Sequence, residues 1–241
     1  NRLGTEMAGR VIENEDLVNV PNWLPLQFRH QGEESWFAVD AARMDDYRQE
    51  LDIRRGVLTR SFVWLGSSGR RTLVTQRRFV SMRNPHVAAL ETTFLAENWS
   101  GTLEVRSAVD GTVVNAGVPR YRQLNGEHLV PLGTEPVGDE GVSLTVETTQ
   151  SRVEIAVAAR TRVVVDGSIL DVPRETEQRP GWIGQQIQIE LAQDRPVSVE
   201  KMIMLVTSRD RAISAPGSHT RKRVGELESF REALEAHVLA W

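Results

Sequence analysis

At residues 185–191 the chain reads QQIQIEL. Ile187, Ile189 and Leu191 alternate with Gln186, Gln188 and Glu190. A period of two places the apolar side chains on one face of a strand and the polar ones on the other. One buried and one wet face is the pattern of antiparallel sheet. The same reading extends outward. Residues 72–82, TLVTQRRFVSM, are rich in β-branched side chains and lie between Gly69 and Pro85. Leu103 and Val105 alternate within 102–109, and Val153, Ile155 and Val157 alternate with Arg152, Glu154 and Ala156 within 152–158. Asp110-Gly111, Asn125-Gly126 and Asp166-Gly167 stand beside such runs. Each supplies the positive φ that a tight hairpin needs. Many strands with hairpin signals and no helix between them predict a sandwich or barrel, all-β, rather than a βαβ fold.

The C-terminus changes period. After Ser214-Ala-Pro-Gly217 the chain runs RKRVGELESFREALEAHVLAW, with Leu227, Phe230, Leu234, Val238 and Trp241 at helical spacing. Two readings stand side by side. The stripe is either a helix continuing into a further domain or a terminal helix docked on its own sheet.

Composition bounds the function. A chain of 241 residues with 40% hydrophobic side chains can bury an ordinary globular core. It has no cysteine, which rules out a disulfide framework and Cys-ligated metal and fits a reducing, cytoplasmic setting. No run approaches the roughly 18 apolar residues of a membrane helix. The net charge of −4 argues against a nucleic-acid partner, which calls for a basic face. The charge is unevenly placed. Eight arginines, Arg54, Arg55, Arg60, Arg70, Arg71, Arg77, Arg78 and Arg83, fall in 54–84 without one acid between them, while acids crowd both flanks. They form either a solvated face of weak Arg–carboxylate pairs or a docking surface for an acidic partner.

Chemistry-bearing motifs are absent. There is no G-x-G-x-x-G, no P-loop and no G-x-S-x-G elbow. His30, His86, His128, His219 and His237 form no metal-spaced pair and are expected to be structural, and no metal site is predicted. A glycosidase needs two carboxyl groups roughly 5–9.5 Å apart. The tightest acidic run is Glu13-Asn14-Glu15-Asp16, expected to be a solvated loop. Asn98-Trp99-Ser100 matches a glycosylation sequon and is expected to be a strand-to-turn junction. Trp23, Trp36, Trp64, Trp99 and Trp182 are either buried anchors or stacking platforms for sugar rings.

Four segments carry a resemblance: NRLGTEMAGRVIENEDLVNVPNW at 1–23, ELDIRRGVLTRSF at 50–62, RRFVSMRNPHVAAL at 77–90 and NWSGTLEVRSAVDGTVVNAGVPRYRQLN at 98–125. They are similar to the N-terminal domain of glycoside hydrolase family sixty-five, which includes maltose, trehalose and kojibiose phosphorylases and some trehalose hydrolases. The resemblance implies a large antiparallel, mutarotase-like β-sandwich over 1–215, lacking its first strands because a G-N-G-Y-L-G-like motif of the family is missing. It implies that 216–241 begin a helical linker to an (α/α)₆ barrel that carries the catalytic acid. On this reading the chain itself has no catalytic residue and no cofactor. Inorganic phosphate is a co-substrate only if the parent is a phosphorylase. The parent would be an inverting α-glucoside phosphorylase or hydrolase. This domain would support the barrel, bear on the carbohydrate substrate through the parent and help form a homodimer. The segment Asn115-Ala-Gly-Val-Pro-Arg-Tyr121 is the expected cleft-facing or domain-interface loop, with Asn115, Arg120 and Tyr121 as the candidate residues. The alternative is a stand-alone carbohydrate-binding sandwich. A mutarotase-like enzyme is a further, weaker reading.

Overall fold

The computed structural model describes residues 1–66, 68–117 and 123–241. Its strands follow in chain order as β1 (Arg2–Met7), β2 (Arg10–Glu15), β3 (Leu26–His30), β4 (Arg43–Asp52), β5 (Val57–Leu65), β6 (Arg71–Val80), β7 (Val87–Ala96), β8 (Gly101–Asp110), β9 (Leu129–Val137) and β10 (Gly141–Thr148). After these come β11 (Glu154–Val165), β12 (Ser168–Leu170), β13 (Arg174–Arg179), β14 (Trp182–Leu191) and β15 (Pro196–Thr207). Helices α1 (Pro216–Val224) and α2 (Phe230–Ala240) end the chain. Among the described residues the strands form a nine-stranded sheet, ordered β4-β5-β6-β7-β15-β11-β10-β9 with β12 beside β11, a four-stranded sheet β13-β14-β8-β3, and the hairpin β1-β2. Every pairing is antiparallel. The expected all-β sandwich is the observed fold.

The two sheets face each other across an apolar layer. Phe28 from β3, Phe62 from β5, Phe94 from β7, Leu103 from β8 and Ile187 and Ile189 from β14 are fully buried in it. Phe28 packs edge-on to Phe94 at 5.0 Å and stacks on Phe37 at 4.5 Å. A second cluster, with Leu144, Val157, Ile183 and Ile203, continues the layer toward β10 and β11. The alternation at 185–191 appears as expected: Ile187, Ile189 and Leu191 are buried, and Gln188 and Glu190 are exposed.

The far face of the large sheet is covered by the two helices. Phe230, Ala233 and Leu234 of α2 pack on Val57, Phe79, Val87 and Met202. Ser229 caps α2 with a full capping box, its hydroxyl accepting from the Glu232 amide while Glu232 accepts from the Ser229 amide. The Glu200 carboxylate on β15 accepts from the buried Phe230 amide at 3.2 Å. The C-terminal stripe docks on the chain's own sheet. Its spacing holds from Phe230 to Trp241, and Leu227 precedes the helix.

This second covered face explains a departure at β11. Alternation predicts one wet face, yet Ile155 through Thr161 are all buried. β11 lies in the middle of the sheet, with the small sheet on one side and α1 on the other, so Ala156, Ala158 and Arg160 are enclosed as well. The turns divide likewise. Asp166 and Gly167 have φ of 49° and 79° and close the β11–β12 hairpin, as predicted. Gly111 and Gly126 do not sit in hairpins. A Cβ on Gly111 would lie 2.8 Å from Val146 Cγ1, and one on Gly126 would lie 2.6 Å from the Asn115 carbonyl oxygen. Both glycines are there for close approach, at the two ends of the long connection between β8 and β9.

Candidate functional site

That connection forms one wall of a cavity of about 350 Å³. Asn14, Glu15, Asp16, Asn19, Asn115 and Asn125 give it a polar lining, and Leu17, Gly117 and Leu124 complete the described wall. Asn115 builds this wall. Its Oδ1 accepts from the Asn19 amide at 3.0 Å, its Nδ2 donates to the Leu17 carbonyl at 2.7 Å, and its own amide donates to Gly126 at 3.0 Å. Asn19 reciprocates by donating to the Val114 carbonyl at 3.2 Å. The carboxamide therefore joins the 17–19 segment to the 114–126 segment. The candidate Asn115 lines the cavity, as a residue that holds its backbone together. Arg120 and Tyr121 lie outside the described residues.

Behind the cavity sits His128, which is buried. Its Nδ1 accepts from Asn1 Nδ2 at 3.0 Å, which leaves the proton on Nε2. Nε2 lies 3.3 Å from Asp16 Oδ2 without hydrogen-bond alignment. Asn1 Nδ2 also donates to Thr149 Oγ1 at 3.0 Å, so the ring is fixed from both sides. Glu13 and Glu15 belong to strand β2, not to a loop, and both face Arg2, at 3.8 and 3.1 Å. Carboxylates and carboxamides in this number suit a hydroxyl-rich ligand, since each offers acceptors or donors to an O–H group. A second cavity of about 350 Å³ lies between α2 and the β6–β7 turn, bounded by Arg83, Asn84, Glu226 and Glu228.

The other sequence candidates prove structural. His30 stacks on Trp64 at 4.0 Å and meets Trp99 edge-on at 4.6 Å. Burial lowers its pKa, opposed by Glu33 and aided by Arg70. His237 accepts the Met82 amide on Nδ1 and stacks on Phe79. Asn98 accepts the Arg71 amide and donates to the Gly69 carbonyl, as a strand-to-turn junction should. Trp64, Trp99 and Trp182 are buried, and Trp36 holds the guanidinium groups of Arg29 and Arg106 against its ring, each 4.5 Å from the centroid. The arginine stretch splits between its two readings. Arg71 pairs with Glu97 at 2.9 Å and Arg77 with Glu91 at 2.5 Å, whereas Arg60 and Arg78 have no acid partner among the described residues. Among those residues no three His, Asp or Glu side chains gather as metal ligands, and no helix is long and apolar enough to cross a membrane.

One buried group escaped sequence reasoning. Lys201 on β15 is fully enclosed between the sheets, and its Nζ donates to the carbonyls of Pro25 at 3.0 Å and Ala108 at 2.6 Å. Desolvation lowers its pKa to about 7. Its only sequence signal is a lysine at an inward-facing position of an otherwise apolar strand, KMIMLV at 201–206.

Comparison with known proteins extends this picture. Residues 1–241 match the family described as "Glycosyl hydrolase family 65, N-terminal domain". An uncharacterized glycosyl hydrolase of Mycobacterium tuberculosis is 41% identical over all of the chain, which covers 18% of that protein. A kojibiose phosphorylase of Caldanaerobacter subterraneus is 30% identical over 98% of the chain, which covers 32% of it. Trehalose 6-phosphate phosphorylase of Lactococcus lactis is 26% identical over 86% of the chain. A solved human-microbiome structure, titled as a kojibiose phosphorylase by assignment, superposes with a TM-score of 0.81 at 14% identity, over 99% of this chain and 30% of its own. That likeness establishes the fold alone. The chain thus spans between 18% and 32% of the length of these proteins.

Proposed function

The chain belongs to glycosyl hydrolase family 65, matching its N-terminal domain along its whole length, and on that premise we propose that it is the non-catalytic first part of a longer enzyme. The parent cleaves an α-linked glucose disaccharide of the maltose, trehalose or kojibiose type with inversion. The whole-length family match carries this reading, because the same stretch makes up only 18% to 32% of longer relatives. Relatives named as phosphorylases support phosphate, rather than water, as the parent's co-substrate. Residues 1–215 act as the supporting sandwich and 216–241 lead into an (α/α)₆ barrel. The parent is a cytoplasmic homodimer.

Within this proposal the segment 115–121 belongs to the parent's cleft or domain interface. Asn115 ties the described part of it to residues 17–19, and Arg120 and Tyr121 are its other candidate residues. The test is a comparison of the purified 241-residue chain with the full-length parent on kojibiose, maltose and trehalose, with and without phosphate. Turnover by the parent and none by the isolated chain is the expected result. Release of glucose or glucose 1-phosphate by the isolated chain would overturn it. The cavity's amide and carboxylate lining favours one other reading, a free-standing sugar-binding module. Saturable quenching of tryptophan fluorescence by a glucan in the isolated chain would support that reading instead.

A further inference from the structure

The small sheet turns its other face away from the core, and that face carries a polar depression of its own. The strand registers lay it out as three rows: Gln27–Arg106–Gln186–Glu175, then Ala108–Gly184–Glu177, then Asp110–Trp182–Arg179. The middle row is almost bare where β8 and β14 pair. A Cβ on Gly184 would lie 2.8 Å from both Ala108 Cβ and Trp182 Cη2, so glycine keeps the floor low. Above it is a cavity of about 210 Å³, lined by Arg106, Glu175, Glu177, Trp182, Gly184 and Gln186.

Arg106 is held in place without being used up. It is half-buried, and its Nε and Nη2 both donate to Gln27 Oε1, at 3.1 and 2.7 Å. The Trp36 ring lies 4.5 Å from the same guanidinium. Among the described residues Nη1 has no partner and no carboxylate pairs with the group. Burial lowers the Arg106 pKa, and the nearby Glu177 charge opposes this without forming an ion pair. The carboxylates of Glu175 and Glu177 and the carboxamide of Gln186 also make no side-chain hydrogen bond among the described residues. Exposed glutamates are ordinarily solvated and no more. These two rim a depression whose opposite wall is a fixed guanidinium. Trp182 supplies an apolar wall, with the Arg179 guanidinium 4.5 Å over its ring.

Charge decides what such a set can hold. An anion would meet Glu175 and Glu177, and a cation would meet Arg106 and Arg179. A neutral ligand whose groups both donate and accept meets neither repulsion, and the hydroxyl is that group. We propose that this face of the small sheet binds a saccharide, with Arg106 Nη1 donating to its hydroxyls, Glu175 and Glu177 accepting from them, and Trp182 against the apolar side of the ring. The cavity is smaller than the roughly 300–1,000 Å³ that encloses a drug-sized ligand, so it takes one unit of a longer chain lying across the strands. The site shares no lining residue with the cavity at Asn115, and it does not depend on the reading of the chain as part of a longer enzyme.

Titration of the isotope-labelled 241-residue chain with maltoheptaose and with cellohexaose, followed by NMR, tests this. One of the two should shift the Trp182 indole N–H and the Gln186 side-chain amide saturably. Arg106→Met should weaken that binding about tenfold or more, since it removes a charged hydrogen-bond donor. The double variant Glu175→Ala/Glu177→Ala alters only exposed side chains, so it decides the matter should Arg106→Met fail to fold, and it should weaken binding by a similar factor. Absence of saturable shifts with both sugars would overturn the proposal. So would shifts gathered at the side-chain amides of Asn19 and Asn125, which would give the sugar to the cavity at Asn115. Binding of inorganic phosphate at Arg106 with no response to either sugar would make the depression an anion site and overturn it as well.

Discussion

Two halves of one sheet make opposite use of strand alternation. In β11 and β15 both faces carry protein, the small sheet on one and the helices on the other, and nearly every side chain is enclosed. In β4 the pattern reverses, and most of its ten residues are exposed. The pairing is antiparallel throughout, and the strands are of similar length. What differs is the number of layers around each strand. Alternating sequence therefore reports how many faces a strand hides, and only a polar residue on a doubly covered strand reveals what the second layer demands.

The comparison can be broken most forcefully at its closed half. Leu144→Ala, at a fully buried side chain of β10, should cost about 3 kcal/mol in urea unfolding, whereas Leu51→Ala should stay within about 0.5 kcal/mol in the isolated chain. Similar losses at the two sites would mean that the open half is not open. Next comes the helix layer. Arg160 donates to the carbonyls of Val224, Gly225 and Glu228 from the middle of β11. Arg160→Met removes their guanidinium donor and should cost about 2–3 kcal/mol by the same measurement.

Lys201 sharpens the comparison through pH. Its folded pKa lies below its unfolded value, so between about pH 7 and 10.5 the unfolded chain binds more protons than the folded one. Stability from this group therefore rises with pH across that window and is lost as pH falls through 7. The slope cannot exceed about 1.4 kcal/mol per pH unit. Lys201→Met should flatten that rise in urea midpoints taken from pH 7 to 10, and an unchanged slope would show that the ammonium is solvated. The smallest expected effect is at the helix start, where Ser229→Ala should cost about 1 kcal/mol by loss of the capping box.

Much of this was legible in the residues, and the failures share a cause. The period at 185–191 names a strand and its buried face because β14 has one wet side. The period at 152–158 names the strand and misses the second covered face, since Ala156 and Ala158 read as neutral when nothing local announces a helix above them. Asp166-Gly167 acts locally and was readable, whereas Gly111 and Gly126 answer to Val146 and Asn115, neighbours that only the fold supplies. Asn115 was found for its place in a polar loop. Its grip on residues 17 and 19, nearly a hundred positions away, is a tertiary fact. Lys201 shows the same limit, because two backbone carbonyls of distant segments are what receive its ammonium.

Arg160 also has a mechanical consequence. Its guanidinium clamps the peptide groups at the end of the first helix and just before the second, so the inter-helix bend is pegged to the centre of the widest sheet. A pull on the last helix would load this peg before reaching the strands.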